Sequence, residues 1–284
     1  MPRYNYDWSD SKLQKYINEG RGQKRGKDYL PWLNVHSIAS RGRVSRIFGW
    51  KTGRVHHFLT DNEKRYFYLC EWSDKVVDIR EHYPLIDLYE MTEILDEKLM
   101  DKLIDRRTGT PHILTCTFLI TIRGEQGKEL DIARSIKEEK ELEKKSVIER
   151  YEIIRRYFQY KNIPWGLVTA SEINATRAKN IEWIHNALFL EDWGYSKNQV
   201  EGELQLLIEL LRNGTGTIRG VIEQFEKLVQ CEKGKGLLLF KHLLATKQIA
   251  IDMDKPFSVQ QPLENIKVFN AKALGSDERH AVGG

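Results

Sequence analysis

The sequence has few cysteines, little proline and no long apolar run. Its three cysteines, Cys70, Cys116 and Cys231, lie far apart with no C-x-x-C spacing, which argues against a zinc site or a disulfide framework and fits a reducing cytoplasm. The longest nearly apolar stretch, 112–122, is about half of the ~20 residues that a membrane helix needs. The first residues lack the apolar core of a signal peptide. These absences predict a cytoplasmic protein with no membrane segment.

The length of the chain favours two domains. It has 284 residues, of which 40% are apolar and 30% charged, enough to build a core. Glycine and proline number 20 and 7, which excludes a low-complexity or collagen-like chain.

Positive charge is concentrated at one end of the chain. Residues 1–60 carry 12 Lys or Arg against four Asp or Glu, although the whole chain has a net charge of only +4. Such a region favours a polyanion, usually nucleic acid, and its alternative is a solvated basic arm without a ligand. The candidate DNA-binding residues are Arg21, Lys24, Arg25, Lys27, Lys51, Arg54, His56 and His57. The two histidines have a structural alternative.

The order of the elements predicts a mixed α/β sheet with helices on its faces, followed by a helical region. Thr60 and Glu63 form a capping-box pattern that begins a helix reaching Trp72. Strands are predicted at 76–81, 113–122, 130–137 and 164–169, and helices at 87–106 and 138–161. After residue 173, three short helices and a strand pair follow the winged-helix pattern. We expect domains at 1–172 and 173–270 and a loose tail at 271–284.

Metal-assisted cleavage of a phosphodiester needs carboxylates that converge on divalent cations, often with a nearby lysine. One scaffold supplies a Glu from a helix, an Asp from a strand, and an acid or Gln two residues before a Lys on the adjacent strand. Residues two apart on a strand share a face, so that pair points at one site. Here Glu63 lies on the first long helix and Lys137 at the end of strand 130–137.

Several blocks of the sequence, taken together, resemble the TnsA family, the endonuclease subunits of heteromeric transposases. These blocks are 20–32 (GRGQKRGKDYLPW), 51–57 (KTGRVHH), 79–85 (IREHYPL) and 162–165 (NIPW). The resemblance spans about residues 12–185. It implies a restriction-endonuclease-like N-terminal domain and a winged-helix C-terminal domain.

The resemblance also implies partners and a cofactor. The family cuts the 5′ strands at transposon ends with Mg²⁺, while a TnsB-like DDE transposase cuts and joins the 3′ strands. A TnsC-like AAA+ ATPase regulates both. The implied partners are therefore double-stranded DNA at transposon ends and these two proteins, in the bacterial cytosol or nucleoid.

The active site of the family carries over only in part. Its helical Glu, a metal ligand, matches Glu63, and its lysine matches Lys137. Its strand Asp falls on Thr117, and the Gln before its lysine falls on Ser135. A threonine hydroxyl carries no charge and is a poor replacement for a bridging carboxylate.

Each of these residues has an alternative interpretation. Glu63 could only complete its capping box, and Lys137 could only begin a solvated charged run. Glu138 or Glu139 could replace the missing acid, whereas Asp131 would lie about 20 Å from Lys137 along a regular strand.

The sequence therefore leaves two hypotheses: a Mg²⁺-dependent endonuclease, or an inactive subunit that bridges DNA, transposase and ATPase. A restriction-type nuclease unrelated to transposition is a third reading, and the matching blocks outside the site argue against it.

Overall fold

The computed structural model describes residues 8–36, 43–91 and 101–269. The chain divides into two compact units, Met1–Ile173 and Asn174–Gly284. The tail expected at 271–284 and residues 92–100 of the helix predicted at 87–106 lie outside the described residues. Within the described ranges, no helix is both long and apolar enough to span a bilayer.

Unit 1 is built on a four-stranded mixed sheet, whose strands are β3 Val76–Pro84, β4 Thr115–Arg123, β5 Glu129–Lys137 and β6 Trp165–Thr169. They lie in the order β3-β4-β5-β6. The β3–β4 and β4–β5 pairs are antiparallel and the β5–β6 pair is parallel. The predicted mixed α/β class is confirmed, and the sheet with its flanking helices is consistent with a restriction-endonuclease-like fold.

In the described residues of unit 1, three α-helices accompany this sheet: α1 Asp10–Asn18, α2 Asp61–Trp72 and α3 Lys145–Tyr160. Helix α2 begins as predicted, because the Thr60 hydroxyl accepts the Glu63 N–H at 3.2 Å. The prediction that one helix spans 138–161 is wrong at its start. Residues Glu139–Glu141 form a separate 3-10 turn, and the α-helix begins only at Lys145.

One face of α3 packs on the sheet. Its buried residues Ile153, Ile154 and Phe158 share a core cluster with Leu119 of β4 and Ala133 of β5. Ile154 and Phe158 lie on the apolar stripe that helical spacing predicts. This packing fixes the central strands that carry the candidate site.

The N-terminal segment from Gly22 to Trp32 covers the outer edge of β3, which is the end strand of the sheet. Gly22 lies so close to Pro84 that an added Cβ would meet its Cγ at 2.2 Å. Three hydrogen bonds join the segment to the strand: Gly26 N–H to the Asp78 carboxylate (3.1 Å), Tyr29 hydroxyl to the Glu81 carbonyl (3.0 Å), and Trp32 N–H to the His82 carbonyl (3.3 Å). Two backbone carbonyls of this edge strand thereby receive donors from the segment.

A separate two-stranded sheet, here called the β1–β2 hairpin, is formed by β1 Ser45–Phe48 and β2 Val55–Phe58. Its register pairs Arg46 with His57 and Phe48 with Val55. The inner face buries His56 and Phe58, and both rings contact Phe67 of α2.

Unit 2 contains four helices and a short antiparallel strand pair within residues 174–269. The helices are α4 Ala175–His185, α5 Lys197–Asn213, α6 Ile218–Val229 and α7 Lys235–Ala245, and the strands are β7 Ile249–Ala250 and β8 Lys267–Val268. Thr217 caps α6 as its position predicts, since its hydroxyl accepts the Gly220 N–H at 3.1 Å.

Candidate functional site

The start of α2 meets the end of β5. The Asn62 side-chain amide donates a hydrogen bond to the Glu138 carboxylate, so Glu63 and Lys137 are the chain neighbours of a contacting pair. Tyr151 of α3 lies within electrostatic range of Glu63 in α2 and of Glu141 after β5. Burial raises the pKa of its phenol, and the carboxylates of Glu141 and Glu63 raise it further. The fold therefore brings Glu63 and Lys137 to one end of the sheet.

The Glu63 side chain accepts a hydrogen bond at the start of its own helix. Its residue is only 8% exposed, and its Oε2 accepts the Leu59 N–H at 2.7 Å. The Nε2 of His82 lies 3.9 Å from the same oxygen. The Thr60 half of the capping box forms, but Glu63 binds the Leu59 N–H instead of the Thr60 N–H that would complete the box. The carboxylate lies at the position that the resemblance gives to a metal ligand.

Lys137 is paired with an acid. Its Nζ lies 2.5 Å from Glu141 Oε2, and both side chains are partly exposed. Glu141 belongs to the 3-10 turn that replaces the first part of the predicted helix. The turn thus supplies a counterion for the ammonium.

The two positions that lack their expected side chains are used inside the fold. The Thr117 hydroxyl oxygen accepts the Ile136 N–H at 3.0 Å, which ties β4 to β5. Ser135 is 1% exposed, and its hydroxyl accepts the Trp165 indole N–H at 3.1 Å. The Cys116 sulfur lies 3.5 Å from that hydroxyl. Neither side chain offers a negative charge.

The donors present do not fit the Mg²⁺ site that the resemblance implies. Magnesium prefers several hard oxygen ligands, usually including carboxylates. Of the two matched acidic positions only Glu63 is a carboxylate, and in the part of the chain that the structure describes no three His, Cys, Asp or Glu side chains converge as a metal-binding group.

The acids weighed as replacements have other partners. Glu138 accepts from Asn62, and Asp131 binds Arg80 and Thr121 at 2.6 Å each. Glu139 accepts the Ser171 N–H at 3.0 Å, and hydrogen bonds from Ser171 lower the pKa of Glu139 to about 2.

Comparison with known proteins identifies the family. A family model for the TnsA-like endonuclease N terminal matches residues 73–170, and a model for the TnsA endonuclease C terminal matches residues 172–253. The chain is 33% identical over 258 residues to the transposon Tn7 transposition protein TnsA of Escherichia coli, covering 90% of this chain and 91% of that protein. The chain belongs to the TnsA endonuclease family.

In this TnsA-family chain, Arg54 and His56 are not surface residues, and we correct the expectation that they contact DNA. Both bind the fully buried Glu81: Arg54 nitrogens donate to its two oxygens at 2.8 and 2.5 Å, and His56 Nδ1 lies 2.7 Å from Oε2. The Thr52 hydroxyl lies 2.7 Å from His56 Nε2. We call Arg54, His56 and Glu81 the Glu81 cluster; it holds the β1–β2 hairpin against β3.

Burial would by itself raise the pKa of Glu81. The charge of His56 and hydrogen bonds from Arg54 and His56 outweigh burial, so the pKa is held well below its ordinary value. Glu81 is therefore a buried carboxylate that the fold keeps ionised.

Other basic candidates are also used by the fold. Arg21 donates to Glu19 and to the Trp32 carbonyl, and it stacks over Tyr16. His57 is half-buried, its backbone N–H donates to Glu81, and burial lowers its pKa. Arg21 and His57 therefore have structural roles that do not require a nucleic acid.

Lys24 and Lys27 are exposed in the segment that covers β3, and Lys51 is half-buried in the turn of the β1–β2 hairpin. Arg25 between the two lysines is half-exposed and pairs with Glu129 at 2.9 Å. Glu129 and Lys137 are the two ends of β5, about 26 Å apart along a nine-residue strand. Arg25 is therefore anchored at the end of the sheet opposite the candidate cleavage position.

Sequence reasoning missed Asn62, Glu81 and Tyr151. Asn62 precedes the matched Glu63, and Glu81 follows an arginine inside a strand. Neither pattern distinguishes a buried partner from a solvated charge, since the partners lie 76 and 25 residues away. Only the three-dimensional contacts of α2 with the residue after β5, and of β2 with β3, reveal the roles of Asn62 and Glu81.

Proposed function

We propose that this chain is a TnsA-type subunit of a heteromeric transposase that binds DNA at transposon ends and has lost strand cleavage. The observation that carries the proposal is Thr117, whose hydroxyl accepts a backbone N–H where a metal-binding acid is expected. Its partners are a TnsB-like DDE transposase and a TnsC-like AAA+ ATPase. Support for the transposition context comes from the Escherichia coli relative, which is named as a transposition protein.

The chemistry follows from the charges at the site. Mg²⁺ at a phosphate is usually bound by one or two protein carboxylates together with phosphate oxygens and waters. Glu63 is the single matched acid, and its Oε2 already accepts the Leu59 N–H. The other matched positions offer a hydroxyl, a buried hydroxyl and an ammonium that is paired with Glu141.

Loss of 5′-strand cleavage has a genetic consequence. If only the 3′ strands are cut and joined, the donor remains attached to the target, and replication yields a cointegrate. Sequencing of insertion products from a system with only this nuclease subunit measures the outcome. We expect cointegrates, and clean simple insertions would refute the proposal.

A nicking assay on transposon-end duplexes with Mg²⁺ tests the two positions directly. The double variant Thr117→Asp with Ser135→Gln restores the expected side chains, and Thr117→Asn with Ser135→Gln is its uncharged control. We expect nicking from the first alone. Because Ser135 contacts Trp165 and Cys116, the larger Gln requires these side chains to shift, so folding of both variants is checked by circular dichroism.

A second candidate function, retained cleavage, is favoured by one observation. Glu138, which follows β5, accepts a hydrogen bond from Asn62, the residue before Glu63 at the start of α2. If Glu138 replaces the missing acid, the unaltered chain nicks end DNA with Mg²⁺ and Glu138→Gln abolishes the nicking. No nicking by the unaltered chain supports the inactive assignment.

We propose a winged-helix role for unit 2 in protein docking, with no DNA contact through α7. The basic residues of α7 are engaged within the unit. Lys235 pairs with Glu203 at 2.6 Å, Lys241 Nζ lies 4.5 Å from the centre of the Trp183 ring, and the buried His242 contacts the Ala187 carbonyl. A helix whose polar side chains are occupied in this way has little to offer a DNA groove.

A further inference from the structure

The outer face of the β1–β2 hairpin combines exposed apolar and basic side chains. Alternate residues of a strand share a face, and directly paired residues of antiparallel strands share it too. Phe48 is therefore on the same face as its partner Val55, and Arg46 on the same face as His57. Phe48 and Val55 are each 47% exposed and Arg46 is exposed.

Buried contacts on the inner face of the β1–β2 hairpin attach it to the rest of unit 1. The Glu81 cluster, with Arg54 and His56 donating to one buried carboxylate, fixes β2 to β3. Phe58 packs on Phe67 of α2 and on Phe118 of β4. A surface feature anchored by buried ion pairs and rings is presented in one orientation, which favours recognition at low entropic cost.

The charged side chains of this stretch of sequence are basic. From Tyr29 to Thr60 it contains no Asp or Glu, while it has five Lys or Arg, of which Arg54 is buried against Glu81 and does not belong to this face. Arg43 and Arg46 are exposed on and beside β1. A face with this charge is complementary to a polyanion and repels a basic partner.

The two-stranded shape of the hairpin is also compatible with a DNA groove. The major groove of B-DNA admits a two-stranded β-ribbon, and apolar side chains in it contact thymine methyl groups while arginine binds guanine. We propose that the β1–β2 hairpin inserts its outer face into a groove of duplex DNA, with Arg46 and Phe48 at the contact. This inference rests on the DNA binding in the proposed function and adds the surface that performs it.

Fluorescence anisotropy of the full chain on duplex DNA measures the effect. The probes are a transposon-end duplex and a random duplex of equal length, each over a series of salt concentrations. We expect Arg46→Gln with Phe48→Ser to weaken binding to the end duplex by roughly tenfold. We also expect the salt slope to fall by about 0.9 if Arg46 contacts one phosphate.

The matched control is Ile148→Ser with Arg150→Gln, an exposed apolar and arginine pair on α3. We expect it to change affinity by less than about twofold, as surface substitutions usually do. Circular dichroism of both variants verifies that they fold.

Cross-linking identifies what lies on the face. Phe48→benzoylphenylalanine, irradiated with end DNA and with purified transposase and ATPase, is expected to give a DNA adduct, whereas Ile148→benzoylphenylalanine gives none. An adduct to protein alone, or hairpin variants that bind DNA like the unaltered chain, would overturn the inference while leaving DNA binding intact. Failure of the unaltered chain to bind either duplex would instead remove the proposed function.

Discussion

Removing the charge of Glu81 is expected to destabilise unit 1 strongly. Glu81 is fully buried and accepts hydrogen bonds from Arg54 and His57, with His56 Nδ1 2.7 Å away. Breaking a buried ion pair by neutralising one partner typically costs 3–5 kcal/mol, because the other charge stays buried without compensation. A glutamine keeps part of the hydrogen bonding, so we expect Glu81→Gln to lower the free energy of unfolding by about 3 kcal/mol.

The control is Glu152→Gln on α3, which breaks exposed pairs with Arg155 and Arg156. Solvent screens such pairs, so the expected loss is below about 1 kcal/mol. Hydrogen exchange by mass spectrometry across a urea series gives the free energy separately for peptides of each unit. Equal losses for the two variants in peptides of β2 and β3 would refute the role assigned to the Glu81 cluster.

The same cluster predicts a dependence on pH. Because the pKa of Glu81 is depressed in the folded protein, its stabilisation is present above the unfolded pKa and is lost as pH falls through the folded pKa. The difference in stability between the unaltered chain and Glu81→Gln should therefore be constant near neutrality. It should shrink as pH falls below about 4.3, the ordinary pKa of a glutamate.

Three further predictions concern other parts of the chain. Gly22→Ala should lower the free energy of unfolding by about 1–3 kcal/mol more than Gly53→Ala in urea titrations, since both glycines have positive φ but only the first faces a clash. Iodoacetamide labelling at pH 8 should modify the partly exposed Cys231 first; equally fast labelling of the two buried cysteines, whose pKa burial raises, would contradict the fold. Lys235→Gln with Lys241→Gln should leave duplex affinity within about twofold, and a larger loss would return α7 to the DNA surface.

Local patterns predicted much of the fold. The capping-box pattern at Thr60 and Glu63 predicted the start of α2, and the Thr60 hydroxyl caps the helix there, because this signal depends only on neighbouring residues. The β-branched run before Arg123 predicted a strand buried on both faces, and Phe118 and Leu119 are buried. Such signals lie within one element, so no distant contact is needed to read them.

Distant contacts account for what the sequence could not predict. Helical periodicity predicted a helix that begins at Glu138. In the structure Asn62 binds Glu138 and Lys137 binds Glu141, and these contacts accompany a 3-10 turn that precedes the helix. In the sequence Arg54 cannot be distinguished from a surface cation, and only the structure shows that it binds Glu81. The family resemblance identified the positions of the candidate site, but not that Ser135 is enclosed by the core.

The segment that covers β3 has a practical consequence for handling the molecule. A shortened chain starting after Val35 would remove Gly26, Tyr29 and Trp32 from that strand and leave the Glu81 and His82 carbonyls without these donors at an uncovered sheet edge. Such a fragment would polymerise edge to edge at concentrations where the intact chain stays dispersed. Affinity handles and fusions therefore belong where they leave these first residues free to fold back.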